Sequence, residues 1–300
     1  MDQKRLILAI AISLAILFGF EALAPRRPAP VVPANTPAAA NTPAANTPAA
    51  NTLAAGAPAS ATGAPAAPSG ATAAKAVPAN VPRITIAAPR VQGSISLLGA
   101  RLDDVVLRDY RETTAKNSPL VHILEPRSNA EPYYVQFGWT ATDGAKTRLP
   151  DGNTLWTGTG EVAPGKTAHL SWDNGEGLTF GLDVTVDENY MFTISQTVRN
   201  ATDTPVSLLP WARIRRDYTP VVAGYYLLHE GLLGVLGGTL KEYTYKTAKS
   251  DGEKTHGLAY DYTGPGGWAG ITDKYWLIAL IPNQQQPVTT SFRHIVEDGT

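Results

Sequence analysis

Side chains able to do acid–base or metal chemistry are few and scattered along the 300 residues. The five histidines stand at 122, 169, 229, 256 and 294. None forms an HExxH pair or an i,i+4 couple, so their spacing points to no metal site. The absence of cysteine rules out a disulfide framework, a thiolate zinc site and a cysteine nucleophile. His229-Glu230 is the most suggestive pair, because a histidine beside a carboxylate can act as acid and base on a sugar. Neighbours on a strand face opposite ways, however, and the surrounding leucines favour structural hydrogen bonding. Tyr225, Tyr226, Trp268, Tyr275 and Trp276 could line a cleft for sugar or peptide, although core packing is the commoner fate of such rings. No Walker loop and no GxSxG elbow occur. Gly264 to Ala269 satisfies a loose G-x-G-x-x-A pattern but contains Pro265 and runs into a strand-like stretch, leaving no helix N-terminus for a pyrophosphate. No cofactor and no chemical catalysis are expected.

Such residues need elements to hold them, and from Arg83 onward the pattern has period two. Ile84 and Ile86 alternate with Thr85; Val91, Gly93, Ile95 and Leu97 form a second series, and Tyr190, Phe192 and Ile194 a third, running on to Val198. Leu178 to Val186, Val206 to Leu209 and Tyr275 to Ile281 are further strand candidates. Asp143-Gly144, Asp151-Gly152, Asn174-Gly175 and Asp251-Gly252 read as turns. The expectation is all-β, a sandwich or barrel without βαβ units. Gly224 to Gly238 breaks the pattern, and its glycines predict a buried loop with at most one helical turn. With 25 basic against 26 acidic side chains, no field exists to attract nucleic acid.

The first 82 residues differ in kind. Leu6 to Phe20 carries no charge, and Leu6, Ile10, Leu14, Leu17 and Phe20 mark its greasy run. Extended to Ala24 it gives about 28 Å of helix, near the roughly 30 Å hydrocarbon core of a bilayer. Ala22-Leu23-Ala24 resembles a signal-peptidase site, but Pro25 would follow the cut, so a retained anchor over 1–24 is favoured. Lys4-Arg5 before the run and Arg26-Arg27 after it leave its orientation open. Positions 25–82 hold 12 of the 24 prolines and repeat Asn-Thr-Pro-Ala-Ala from Asn35, Asn41 and Asn46. Such a segment predicts a disordered, partly polyproline-II linker spanning about 40–45 Å. Residues 83–300 form the folded part.

Several longer motifs then stand in a familiar order: Trp172-Asp173-Asn174-Gly175-Glu176-Gly177-Leu178, Asn189-Tyr190-Met191-Phe192, Gly224-Tyr225-Tyr226-Leu227-Leu228-His229-Glu230-Gly231, and Gly267-Trp268-Ala269-Gly270-Ile271-Thr272-Asp273-Lys274-Tyr275-Trp276. With the anchor and tether before them, they resemble the amino-terminal half of the YidC/Oxa family of bacterial inner-membrane protein insertases, in its alphaproteobacterial form. The resemblance covers 1–24 and about 83–300. It implies an uncleaved first transmembrane helix with a cytoplasmic N-terminus, residues 25–300 in the periplasm, and a twisted β-sandwich similar to galactose mutarotase. It further implies insertase and chaperone activity in membrane-protein insertion with and without the Sec translocon, and as partners the translocon with its SecDF accessory, nascent membrane proteins and the lipid bilayer. The family's five further membrane helices have no counterpart here, and the resemblance places them beyond Thr300. The residues alone leave two other readings open: a membrane-tethered carbohydrate-binding or mutarotase-like module resting on His229-Glu230 and the aromatics, and a purely structural docking module.

Overall fold

A computed structural model describes residues 80–142, 146–221 and 229–296. The expected anchor, with Leu6, Ile10, Leu14, Leu17 and Phe20, lies outside them, as do the linker up to residue 79, the Asp143-Gly144 turn, Tyr225 and Tyr226. Among the described residues no helix is long and apolar enough to cross a membrane.

Among the described residues sixteen strands and one helix succeed one another: β1 (Arg83–Ala87), β2 (Val91–Ser96), β3 (Arg101–Arg111), β4 (Leu120–Leu124), β5 (Tyr133–Ala141), β6 (Thr157–Thr159), β7 (Ala168–Asp173), β8 (Leu178–Val186), β9 (Phe192–Asn200), β10 (Leu208–Arg216), β11 (Gly231–Leu236), β12 (Thr239–Thr244), α1 (Tyr245–Lys254), β13 (Leu258–Pro265), β14 (Trp268–Thr272), β15 (Leu277–Leu280) and β16 (Pro287–Arg293). They form four antiparallel sheets, none closed into a barrel: β1-β2-β3-β5-β10 with β4 beside β3, β6-β7-β8-β9, β12-β11-β14-β15, and the pair β13-β16. The all-β expectation holds at this level.

The first two sheets share one core. Along β8 the alternation is complete, with Leu178, Phe180, Leu182, Val184 and Val186 all buried and the intervening residues partly exposed. Ile84 and Ile86 of β1, Ile95 of β2, and Leu102 and Val105 of β3 meet them from the other sheet. Trp139 of β5 closes edge-on to Phe180, with ring centroids 5.1 Å apart. Burying such an aromatic is worth roughly 2–3 kcal/mol. On one flank backbone bonds join the sheets: Ala87 donates to Val162 O at 2.9 Å and Val162 to Thr85 O at 3.0 Å. On the other flank β9 and β10 are both edge strands. There Gln196 Nε2 crosses to Gly138 O at 3.0 Å, beside a cleft of about 290 Å³ lined by Trp139, Leu178, Val198, Val206, Leu208 and Pro210.

The motif at 172–178 is the β7–β8 turn. Asn174 is buried and fully used: Oδ1 accepts from Glu176 N at 2.8 Å and Leu178 N at 3.0 Å, and Nδ2 donates to Arg148 O at 3.2 Å and Thr147 Oγ1 at 3.3 Å. Asn189-Tyr190-Met191 makes the next turn, tied by Asp187 Oδ1 accepting from two backbone amides. Tyr190, at φ 75°, donates its hydroxyl to Asp109 Oδ2 of β3 at 2.7 Å and so bridges the two sheets. That bond, with a smaller contribution from burial, pushes the Tyr190 hydroxyl pKa up.

Two sequence expectations are overturned. Residues 231–236, within the expected loop, form strand β11, paired to both β12 and β14. Its glycines allow close approach rather than disorder: a Cβ on Gly234 would sit 2.5 Å from Trp268 O. Gly237 and Gly238, at φ 59° and 73°, supply the two left-handed residues of a tight hairpin to β12. Asp251-Gly252 is not a turn but the last turn of α1. Thr244 caps that helix by accepting from Thr247 N at 3.1 Å, and buried Ala248 and Gly252, four residues apart, form its packed face.

Candidate functional site

The residues singled out from sequence occupy the β12-β11-β14-β15 sheet. His229, just before β11, donates Nε2–H to Leu232 O at 3.1 Å, which satisfies one ring nitrogen structurally. Gly231 pairs with Thr272, and Val235 with Trp268, so His229 and Trp268 stand at opposite ends of the β11–β14 ladder. At roughly 3.3 Å per residue, four ladder steps separate these ends by about 13 Å. Trp276 shares the His229 end, in the turn before β15, where its carbonyl accepts from Thr272 Oγ1 at 3.0 Å and its ring meets Tyr110 edge-on at 4.9 Å. Glu230 follows His229 and is partly exposed; Tyr275, 72% exposed, projects beside Trp276. Among the described residues no group of His, Asp and Glu has the arrangement to hold a metal.

The densest polar constellation is one that the sequence reading missed. Arg216 ends β10 with a side chain 5% exposed. Its Nη1 and Nη2 grip Asp273 Oδ1 and Oδ2 at 2.8 and 2.7 Å, and Nη1 also meets Tyr245 Oη at 2.6 Å. The guanidinium lies 3.9 Å from the Tyr133 ring centre and 5.1 Å from that of Tyr218. Burial alone would lower the Arg216 pKa, but the Asp273 hydrogen bonds and the tyrosines outweigh it and hold it above the arginine range. Burial pushes the Tyr133 and Tyr245 hydroxyls up, against the pull of Arg216. This cage clamps the β10 end of the first sheet to the β14–β15 turn and the first turn of α1. Its partners come from positions 133, 218, 245 and 273, and only the Arg213-Ile214-Arg215-Arg216 run marks it in the sequence.

Neither the tryptophans nor the clamp makes a catalytic geometry, so similarity must say what the architecture serves. Residues 83–299 match the family model of the YidC periplasmic domain. The chain belongs to the YidC family. The match begins at the first residue of β1 and runs past the last of β16. A membrane protein insertase YidC of Granulibacter bethesdensis is 52% identical over 300 residues, all of this chain and half of that protein. Another from Acidiphilium cryptum is 46% identical over 73% of the chain and 37% of its own length, and one from Bradyrhizobium diazoefficiens is 47% identical over 70% and 33%. The chain thus spans a third to a half of the YidC relatives it matches. Three of the sequence motifs have structural reasons: Asn174 locks a turn, Tyr190 ties two sheets, and Asp273 anchors the Arg216 clamp.

Proposed function

We propose that this chain serves as the anchor and periplasmic domain of a membrane protein insertase and chaperone, working with and without the Sec translocon. The match of the whole β domain to the family's periplasmic model carries this reading. In it, residues 1–24 cross the inner membrane with the N-terminus in the cytoplasm, residues 25–82 form a tether, and residues 83–300 fold in the periplasm. The two sheets sharing the core are read as a twisted sandwich of the galactose-mutarotase type. The activity itself is physical. Moving a polar segment through hydrocarbon leaves backbone groups unsatisfied at several kcal/mol each, and an insertase lowers that cost by giving them a protein-lined path. This domain contributes docking, with the Sec translocon, its SecDF accessory and nascent membrane proteins as partners. His229, Glu230, Trp268 and Trp276 are candidates for that contact, as are Tyr225 and Tyr226 on sequence alone. Depletion of the full-length protein in its native host is expected to stall insertion of small membrane proteins, read as protease-accessible precursors. Unimpaired insertion would refute the assignment.

A further inference from the structure

The outer face of the β3–β5–β10 sheet carries more cationic donors than its neighbours can accept from. Arg101 is 2% exposed, yet among the described residues its guanidinium finds one acceptor, Gly152 O, and its Nε none. A guanidinium has five N–H donors, and burying it with so few partners is costly. Gln136, 3% exposed, gives its Oε1 to Arg213, at 2.6 Å from Nη2 and 3.2 Å from Nε. That leaves the Gln136 amide to turn its donors the other way. They converge with Arg101 on Gly152: a Cβ there would lie 3.4 Å from Gln136 Nε2 and 3.8 Å from Arg101 Nη2. Arg127 adds a third positive charge close enough to act on both Arg101 and Arg213. The nearby carboxylates are already engaged, Asp103 by Arg83 and Asp217 by Arg215. Burial, then Arg127, pulls the Arg101 pKa down, as expected where positive charge is in excess.

We propose that this cluster of donors binds a phosphate oxyanion, gripped by Arg101, Arg127 and Arg213 with the Gln136 amide over Gly152. Planar guanidinium forks match phosphate oxygens in pairs, and three forks suit a tetrahedral anion better than a single carboxylate. The same chemistry is offered by inorganic phosphate and by a phospholipid headgroup. The inference goes beyond the insertase reading and does not rest on it.

The test is calorimetric titration of the full 300-residue chain in neutral detergent near neutral pH. Sodium phosphate is one ligand, glycerophosphoglycerol (the acyl-free headgroup of phosphatidylglycerol) the other, and sodium chloride at matched ionic strength is the control. Saturable binding of either phosphate, weakened about tenfold or more in an Arg127→Gln/Arg213→Gln double variant that still melts cooperatively, supports the site. Tighter binding of glycerophosphoglycerol identifies a lipid source, and tighter binding of inorganic phosphate a free anion. If neither ligand exceeds the chloride control, or the double variant binds as the parent does, the proposal is overturned.

Discussion

At the scale of single residues, the polar groups that matter are buried charges whose partners come from far along the chain. Removing one member of a buried pair strands the other, at about 3–5 kcal/mol. Arg216→Met should therefore lower the urea-unfolding stability by that order. Asp273→Asn should cost less, because the Asp273 side chain is 35% exposed and water can substitute in part. Asp103 behaves differently. Burial lifts its carboxyl pKa above the ordinary 3.8, against the opposing pull of Arg83. Its folded-state pKa is thus higher than its unfolded one, so the stability it contributes is complete below about pH 4 and is lost as pH rises through the folded value. Asp103→Asn, which cannot ionise, should gain stability relative to the parent between acid and neutral pH; parallel denaturation curves at the two pH values would contradict this. The Arg216 cage was illegible in the sequence because no short spacing links Tyr133, Arg216, Tyr245 and Asp273. The Arg101 cluster was hidden for a related reason: an arginine beginning a strand normally reads as a solvated edge.

Elements show how far pattern reading extends. β8 was legible to the residue, since one face is buried and the other is not, and that asymmetry prints as Leu178, Phe180, Leu182, Val184, Val186. β11 was not, because its pairing on both sides is permitted by glycines that local propensity counts as breakers. α1 was missed because its packed face consists of Ala248 and Gly252, which add almost nothing to an apolar period. Gly234→Val should weaken the β11–β14 pairing severely, by several kcal/mol, since backbone cannot retreat from its Cβ. At Gly238 nothing lies within 4 Å, so Gly238→Asn should be nearly neutral. Thermal melts of the two variants separate close approach from turn conformation as the reason for glycine. In the β7–β8 turn, Asn174→Ala leaves the buried Leu178 amide and the partly buried Glu176 amide without their acceptor and should cost about 1–3 kcal/mol. Asn174→Asp keeps those acceptors and should lose less, which equilibrium unfolding in urea would check.

Across the molecule, the sheets meet unequally on their two sides. Backbone bonds through Val162 fasten one flank, whereas on the β9–β10 side the cleft is spanned by the Gln196 side chain. A glutamine bond beside water contributes only about 1 kcal/mol, so thermal breathing should start there. Amide hydrogen exchange is expected to be slower at Ala87 and Val162 than along β9, and Gln196→Ala should accelerate exchange in β9 while leaving Val162 unchanged. Equal protection on both flanks would mean the two sheets open as a rigid whole. If the difference holds, the domain is a book with a spine, and any guest it admits between its covers enters from the fore-edge, past Val206, Leu208 and Pro210, before it reaches buried Trp139.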